Sequence, residues 1–465
     1  MLSITHIISI VITVLGVGAL GVYSIKSVKN ASDFAVGGKN VGVPLLIGTL
    51  VGTIAGGAST VGTAQLAYTY GVSAWWFTLG AGIALIILGM FFAKPLRESE
   101  ATTGPELLAK VYGRQASPLA SIFSSIGIFL NIIGQILSSV ALLTAIFNMD
   151  AFLAAVISVL LVIFYVIFGG VMGTGMVGIL KTALIYFSMI VVGFLALSNA
   201  GGFSGYTANL DPFPNFSLFG RGVAVDLAAG FSLIVGVLST QTYLQAMFSG
   251  TTYHESKKAA IISGILIPPL GVGGILVGLY MKMNFPGITP KEALPLFILT
   301  YLPDWVGGIV LATLLISVVG TGAGLVLGVS TMLSRDIYKG IIKKDATDQQ
   351  VLFFSRIAII IVTGLTLVFA AGNMNSLILQ WSFLSMGLRG ATICFPLIGA
   401  LFLKEYIRPK AAIIAIGAAP LATILWAIFM KDLLDPLYVG MILSVLIITA
   451  GSFGYSSRKD IAKNK

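Results

Sequence analysis

The chain reads as an all-α, polytopic membrane protein with about thirteen transmembrane helices. Composition is the first observation that predicts this class. Of 465 residues, 57% are apolar and only 9% charged, and the mean hydropathy is +1.01. Ordinary soluble chains carry roughly 25% charged residues, so a water-facing shell cannot be built here. The second observation is the length of the apolar runs, thirteen of which approach the ~20 residues that cross a bilayer. They lie near 4–24, 43–71, 74–93, 118–146, 151–168, 176–198, 223–248, 259–281, 306–333, 351–371, 376–402, 409–430 and 435–455. The third is charge asymmetry. Loops on one side hold twenty Lys and Arg, and those on the other hold four, Arg221, Lys282, Lys291 and Lys431. Basic loops stay in the cytoplasm, which predicts an outside N-terminus, a cytoplasmic C-terminus and a plasma or inner membrane location. No linker divides residues 1–465, so one transmembrane domain is expected.

The first stretch has no basic segment before it and is expected to be a retained span, not a cleaved leader. The second carries Gly56-Gly57-Ala58-Ser59-Thr60-Val61-Gly62-Thr63, and the ninth carries Ser317-Val318-Val319-Gly320-Thr321-Gly322-Ala323-Gly324. Small residues in membrane helices serve close packing. Runs this dense also loosen the helix, and freed carbonyls at membrane depth survive only around a cavity or a cation. Both stretches are therefore expected to be interrupted. The fourth adds Asn131 and Gln135, and the seventh adds Ser239-Thr240-Gln241 and Gln245. Polar groups converging from several spans describe a solute pathway, with Ser59, Thr60, Thr63, Gln135, Thr240 and Gln241 as candidate substrate contacts. Interhelical hydrogen bonding is the competing reading for Asn131, Gln135, Gln241 and Gln245. Cys394 is read as packing, and Trp75, Trp76, Trp305, Trp381 and Trp426 as anchors near span ends.

All seventeen acids fall in loops or at span ends, whereas Arg389 lies near the middle of the eleventh stretch. A mid-bilayer Arg costs at least ~2.5–3.5 kcal/mol unless compensated, and it stays charged. Two readings are open. Arg389 bonds to carbonyls of unwound helices as structural glue, or it faces the cavity and pairs in bidentate fashion with a carboxylate substrate.

Several function classes are excluded. A single cysteine (Cys394) allows no intrachain disulfide, and with two histidines (His6, His254) no Cys/His metal site is expected. The net charge of +10 is the ordinary excess of cytoplasmic loops and needs no nucleic-acid partner. With no buried acid, no histidine in the pathway and no nucleophile pattern, catalytic residues are not expected and the chain is not read as an enzyme. An ion channel, which calls for a ring of like residues, or a transporter-like sensor are alternatives from other classes. Nothing in the chain specifies an oligomeric state.

Further motifs sit in a particular order. Ser32-Asp33-Phe34-Ala35-Val36-Gly37-Gly38 precedes the second stretch, and Thr103-Gly104-Pro105-Glu106-Leu107-Leu108 with Tyr112-Gly113 follows the third. Thr240-Gln241 and Gln245 lead into Glu255-Ser256-Lys257-Lys258-Ala259, Leu294-Pro295 and Leu302-Pro303 precede the ninth, and Arg335-Asp336-Ile337-Tyr338-Lys339 follows it. In their order and spacing these residues resemble the sodium/solute symporter family, which includes sodium–glucose, sodium–proline and sodium–pantothenate carriers. The resemblance implies a ten-helix core of two inverted five-helix repeats, about 43–198 and 223–402, with broken first and sixth core helices. Helices 4–24, 409–430 and 435–455 would be peripheral, with a cytoplasmic tail at 456–465.

The resemblance further implies a sodium ion between the first and eighth core helices. Its ligands by position would be the carbonyls of Ala58, Val61 and Ser317, with hydroxyls at 320 and 321. Thr321 matches; position 320 is Gly where the family has Ser. Lys181, which follows an insertion around Met172–Gly175, stands where the family carries a Thr-Asp pair near the sodium exit. Its ammonium either occupies or repels the ion, turning coupling toward protons, or snorkels to the inner surface. Gly236-Val237 stands where sugar carriers of the family have an aromatic pair, so a hexose is not expected. The implied activity is secondary active symport, importing a small organic solute, with no cofactor and no metal beyond the alkali cation expected, and with the lipid bilayer and the solute as partners. The solute is expected to be a carboxylate or amino-acid-like anion and the coupling ion Na+, with H+ coupling or no coupling as the alternative.

Overall fold

Apolar side chains with satisfied backbone are what lipid demands, and every regular element among the described residues is helical apart from an isolated bridge between Val41 and Gly250. The computed structural model describes residues 3–25, 41–430 and 433–455, without the side chains of 18–25 and 168–177. Outside that description lie the Ser32–Gly38 motif, the insertion side chains at Met172–Gly175, and the basic residues Lys26, Lys29, Lys39, Lys431, Arg458, Lys459, Lys463 and Lys465.

Helix α1 (Ile4–Ile25) is followed by α2 (Val43–Ile54), which begins with proline in its first turn. Beyond α2 the chain leaves helical geometry at Ala55 (ψ 76°), passes through a π-helical turn at Ala58–Gly62, and resumes as α3 (Thr63–Tyr70). The turn into α4 (Trp76–Ile87) is made at Gly71, whose φ of +70° suits glycine alone. A Cβ there would also lie 2.1 Å from the Asn215 carbonyl oxygen. The short α5 (Gly104–Tyr112), capped by Thr103, leads to α6 (Ala116–Phe147) and to α7 (Ala151–Asn199).

The second half opens with α8 (Val223–Ser239) and α9 (Gln241–Ser249), which meet at 45°. There follow α10 (Tyr253–Asn284), α11 (Asp304–Met332), α12 (Asp348–Ala371), α13 (Ile378–Arg389), α14 (Phe395–Phe402), α15 (Pro409–Phe429) and α16 (Pro436–Gly451). Thus the opening helix of each half is broken, after Ile54 and at Thr240. The expected interruption in the ninth stretch is absent: α11 runs through Ser317–Gly324 without a break. Its small residues serve proximity instead. A Cβ on Gly322 would come 3.3 Å from Val162, and one on Gly328 3.0 Å from Thr242.

By length and composition, eight helices among the described residues can cross a membrane, or nine if α8 and α9 form one span. Shorter apolar helices at Ile4–Val17, Val43–Ile54, Ala151–Ile167 and Pro436–Gly451 stand where other expected spans are cut or end early. Helix α7 covers two expected spans. The hydroxyl of Tyr165 and Nζ of Lys181 both come within 4 Å of where Gly320 would carry a Cβ. Sixteen residues of straight helix would separate their backbones by about 24 Å, so α7 is not straight, and its two apolar pieces converge on α11.

Candidate functional site

The first break is held by its own side chains. Ser59 Oγ accepts from the Gly56 amide at 3.0 Å, Thr60 Oγ1 donates to the Gly56 carbonyl at 2.8 Å, and Thr63 Oγ1 donates to the Ala58 carbonyl at 3.0 Å. The Gly57 amide donates to Gln135 Oε1 at 2.9 Å. These bonds discharge the donors and acceptors that lipid would leave stranded. The fit is close: a Cβ at Gly57 would lie 2.2 Å from Ser138 Oγ on α6.

At the second break, Thr240 has extended geometry (φ −83°, ψ 126°) between α8 and α9. Its hydroxyl accepts from Arg389 Nη1 at 2.6 Å. Arg389 also donates from Nε to the Ser385 carbonyl at 3.1 Å, and from Nη2 to Ser385 Oγ at 2.8 Å and Met386 Sδ at 3.1 Å. The side chain is wholly buried, with Gly127 of α6 against its Cγ. All these acceptors are neutral. Arg389 thus braces the second break through a hydroxyl; the one carbonyl it reaches, that of Ser385, lies on its own helix and not on an unwound one as the glue reading expected.

Helix α6 ties both breaks to α13. Asn131 Oδ1 accepts from Ser382 Oγ at 3.0 Å and from Gln135 Nε2 at 3.5 Å, and Ser385 donates to the Gly127 carbonyl. Ser59, Thr60, Thr63, Gln135 and Thr240 therefore belong to one buried assembly. Gln241 turns elsewhere: its Oε1 accepts from the Gly104 amide at 3.0 Å and its Nε2 donates to the Thr102 carbonyl at 3.3 Å, on the loop before α5.

Lys181 does not snorkel to a surface. It is 2% exposed, and its Nζ donates to the Ser317 carbonyl at 2.9 Å, Thr321 Oγ1 at 2.9 Å, and the Gly52 carbonyl. Glycines permit the approach: a Cβ on Gly178 would meet the Gly48 carbonyl at 2.4 Å, and one on Gly52 would sit 3.2 Å from Gly178. Lys181 follows Gly178 by one turn and so reaches beneath Gly52. Ser317 and Thr321, two of the four expected cation ligands, are in this set, and the oxygen contributed by α2 is that of Gly52. The Ala58 carbonyl instead accepts from Thr63, and Val61 lies in the π-helical turn.

A cleft lies between the start of α2, which Val41 precedes, and the end of α9 at Ser249. It is lined by Leu45, Thr49 and Thr53 of α2, by Thr242 and Gln245 of α9, and by Gly324 of α11. Its lining thus includes Thr53, next to Gly52, and Gly324, about one turn beyond Thr321.

Sequence reasoning missed a buried carboxylate. Asp336, just past α11, accepts from Thr103 Oγ1 at 3.0 Å and from Ser121 Oγ at 2.8 Å. Arg335 reaches Thr102 Oγ1 at 3.3 Å, so the ends of α5, α6 and α11 are bound together. The order Arg335-Asp336 was visible, but its partners are over two hundred residues away.

A family model described as the sodium:solute symporter family matches residues 34–416. The chain is 24% identical over 401 residues to a high-affinity choline transporter of Drosophila melanogaster, covering 83% of this chain but only 65% of that protein. It is 23% identical to the high-affinity proline transporter PutP of Bacillus subtilis, over 92% of this chain and 94% of that one. A solved Na+-coupled sialic acid symporter, in a substrate-bound outward-open state, superposes with a TM-score of 0.80 at 20% identity, over 98% of each chain. At that identity the likeness establishes the fold.

Proposed function

Because the chain belongs to the sodium:solute symporter family, a family of membrane transporters, we propose that it is a secondary carrier that imports a small organic anion by alternating access. The observation that carries this reading is the pair of breaks, after Ile54 and at Thr240, braced by α6 and α13. Broken helices meeting inside a membrane protein supply backbone groups to a solute while neighbouring helices keep them satisfied. The cleft ending near Thr53 and Gly324 is the cytoplasmic access path in this reading, with the N-terminus outside. Core repeats at 43–198 and 223–402 would rock against each other around it.

The anion follows from charge. Among the described residues, Lys181 and Arg389 are the buried charges beside the breaks, while buried Asp226 pairs with Arg221 at the start of α8 and Asp336 sits past α11. Two cations without an acid at that depth favour a carboxylate over a quaternary ammonium. The relatives' names span both, since proline and sialic acid carry carboxylates and choline does not. Ser59, Thr60, Thr63, Gln135 and Thr240 would line the solute's position once the assembly opens, and Arg389 would exchange Thr240 for the carboxylate. Family membership supports sodium as the coupling ion.

Counterflow of labelled proline, sialic acid, other carboxylates and choline in proteoliposomes tests the reading. We expect counterflow of a carboxylate, reduced at least about tenfold by Arg389→Lys, which keeps the charge but loses the guanidinium fork. Counterflow confined to choline, or currents of single-channel size, would overturn it.

A further inference from the structure

We propose that the ammonium of Lys181 is the resident cation between α2 and α11, so that this position takes no sodium and any coupling sodium binds elsewhere. An ammonium has three N–H donors and no acceptor. Three oxygens face Nζ, the carbonyls of Gly52 and Ser317 and the hydroxyl of Thr321. Donors and acceptors therefore match in number. Neutral oxygens converging from two helices form the kind of cradle that suits a monovalent cation, and the tethered ammonium already holds it. A sodium ion sharing these oxygens would sit within hydrogen-bond range of a like charge, with no carboxylate among the named partners to offset it.

The surroundings are fitted to the lysine. At Gly320 a Cβ would make ordinary van der Waals contact, 3.5 Å from both Cδ and Nζ of Lys181, so what the glycine does here is withhold a side-chain oxygen from the pocket. The close crossing of Gly48 and Gly52 over Gly178 brings the root of the side chain beneath its acceptors. The lysine and the glycines thus form one unit. Because the cation is tethered to α7, it cannot cross with the solute. This consequence rests on the carrier reading above; the occupancy of the pocket does not.

Binding of 22Na+ to the protein in lipid nanodiscs tests the proposal without knowledge of the solute. The double variant Lys181→Ala/Gly320→Ser vacates the pocket and adds a hydroxyl. It is expected to bind one more sodium per chain than the wild type, and equal binding would overturn the proposal. A measurement on the wild type stands if the variant does not fold. Amide hydrogen exchange over 43–63 and 313–324 should be the same in NaCl and KCl of equal strength; sodium-specific protection there would refute occupancy by the lysine. Carboxylate counterflow that fails in both salts would count against the carrier reading alone.

Discussion

Gly57 and Gly364 show how position decides the effect of a single methyl group. At Gly57 a Cβ would overlap Ser138, 2.2 Å from its Oγ and 2.3 Å from its Cβ, whereas at Gly364 nothing lies within 4 Å. Forcing a methyl group into packed surroundings costs typically about 1–3 kcal/mol. Gly57→Ala should therefore lower the melting temperature and pull Gln135 away from the first break. Gly364→Ala, in the middle of α12, should be neutral or stabilising by up to about 1 kcal/mol through helix propensity. Thermal unfolding of both variants in nanodiscs checks the pair; equal effects would show that the close approach at Gly57 is slack. The same scale explains Arg389. Its cost in lipid is met by the Thr240 and Ser385 hydroxyls, the Ser385 carbonyl and the Met386 sulfur, all neutral groups and none of them a carboxylate.

Among the elements, α5 has a distinctive acid response. Burial pushes the Glu106 carboxyl upward, but hydrogen bonds from the Thr102 hydroxyl and amide, together with Lys110, outweigh it and hold the group below its ordinary value. The bonds from Thr102 to Glu106 Oε2 measure 2.6 Å from Oγ1 and 2.8 Å from the amide. A carboxyl whose folded value is depressed contributes stability above its unfolded value, about 4.3. That contribution disappears as pH falls through the folded value. Glu106→Gln should then melt below the wild type at pH 7, and the difference should shrink as pH drops below about 4.3. A difference that is constant with pH would mean that Glu106 acts through packing. The element matters because the same loop is bonded to Gln241, Arg335 and Asp336, which join α5 to the second broken helix and the end of α11.

For the whole molecule, orientation decides what the cleft means. Its lining includes Val41 and Ser249, and Ser249 lies a few residues before Lys257 and Lys258 in the first turns of α10. Basic loops remain cytoplasmic, so the cleft is expected to open inward. With Cys394 replaced by serine, a cysteine placed at Lys257 should react with a membrane-impermeant maleimide only after cells are opened, and one at Lys291 should react in intact cells. The reverse pattern would invert the molecule and turn the cleft into an entry from outside. The 65% coverage of the Drosophila transporter leaves additional length in that relative, so its activity is no guide to this chain's solute.

The membrane class, the helical spans and the first break followed from one-dimensional facts: apolar length, charge placement and a run of glycines at 56–57 and 62. Lipid makes these decisive, because it offers the backbone no other hydrogen-bond partner. The small-residue run at 317–324 looked equivalent yet stays helical, since glycine permits a break without requiring one, and neighbouring side chains use the space. The break at Thr240 has no glycine or proline beside it; only the family resemblance implied it, and the partner of its hydroxyl, Arg389, lies 149 residues away. Lys181 was recognisable as an anomaly, but whether it reached water or a pocket depended on the crossing of α2 and α7. Partners for a buried charge come from distant segments, so the chain alone could name the charge and only the packed helices could name what answers it.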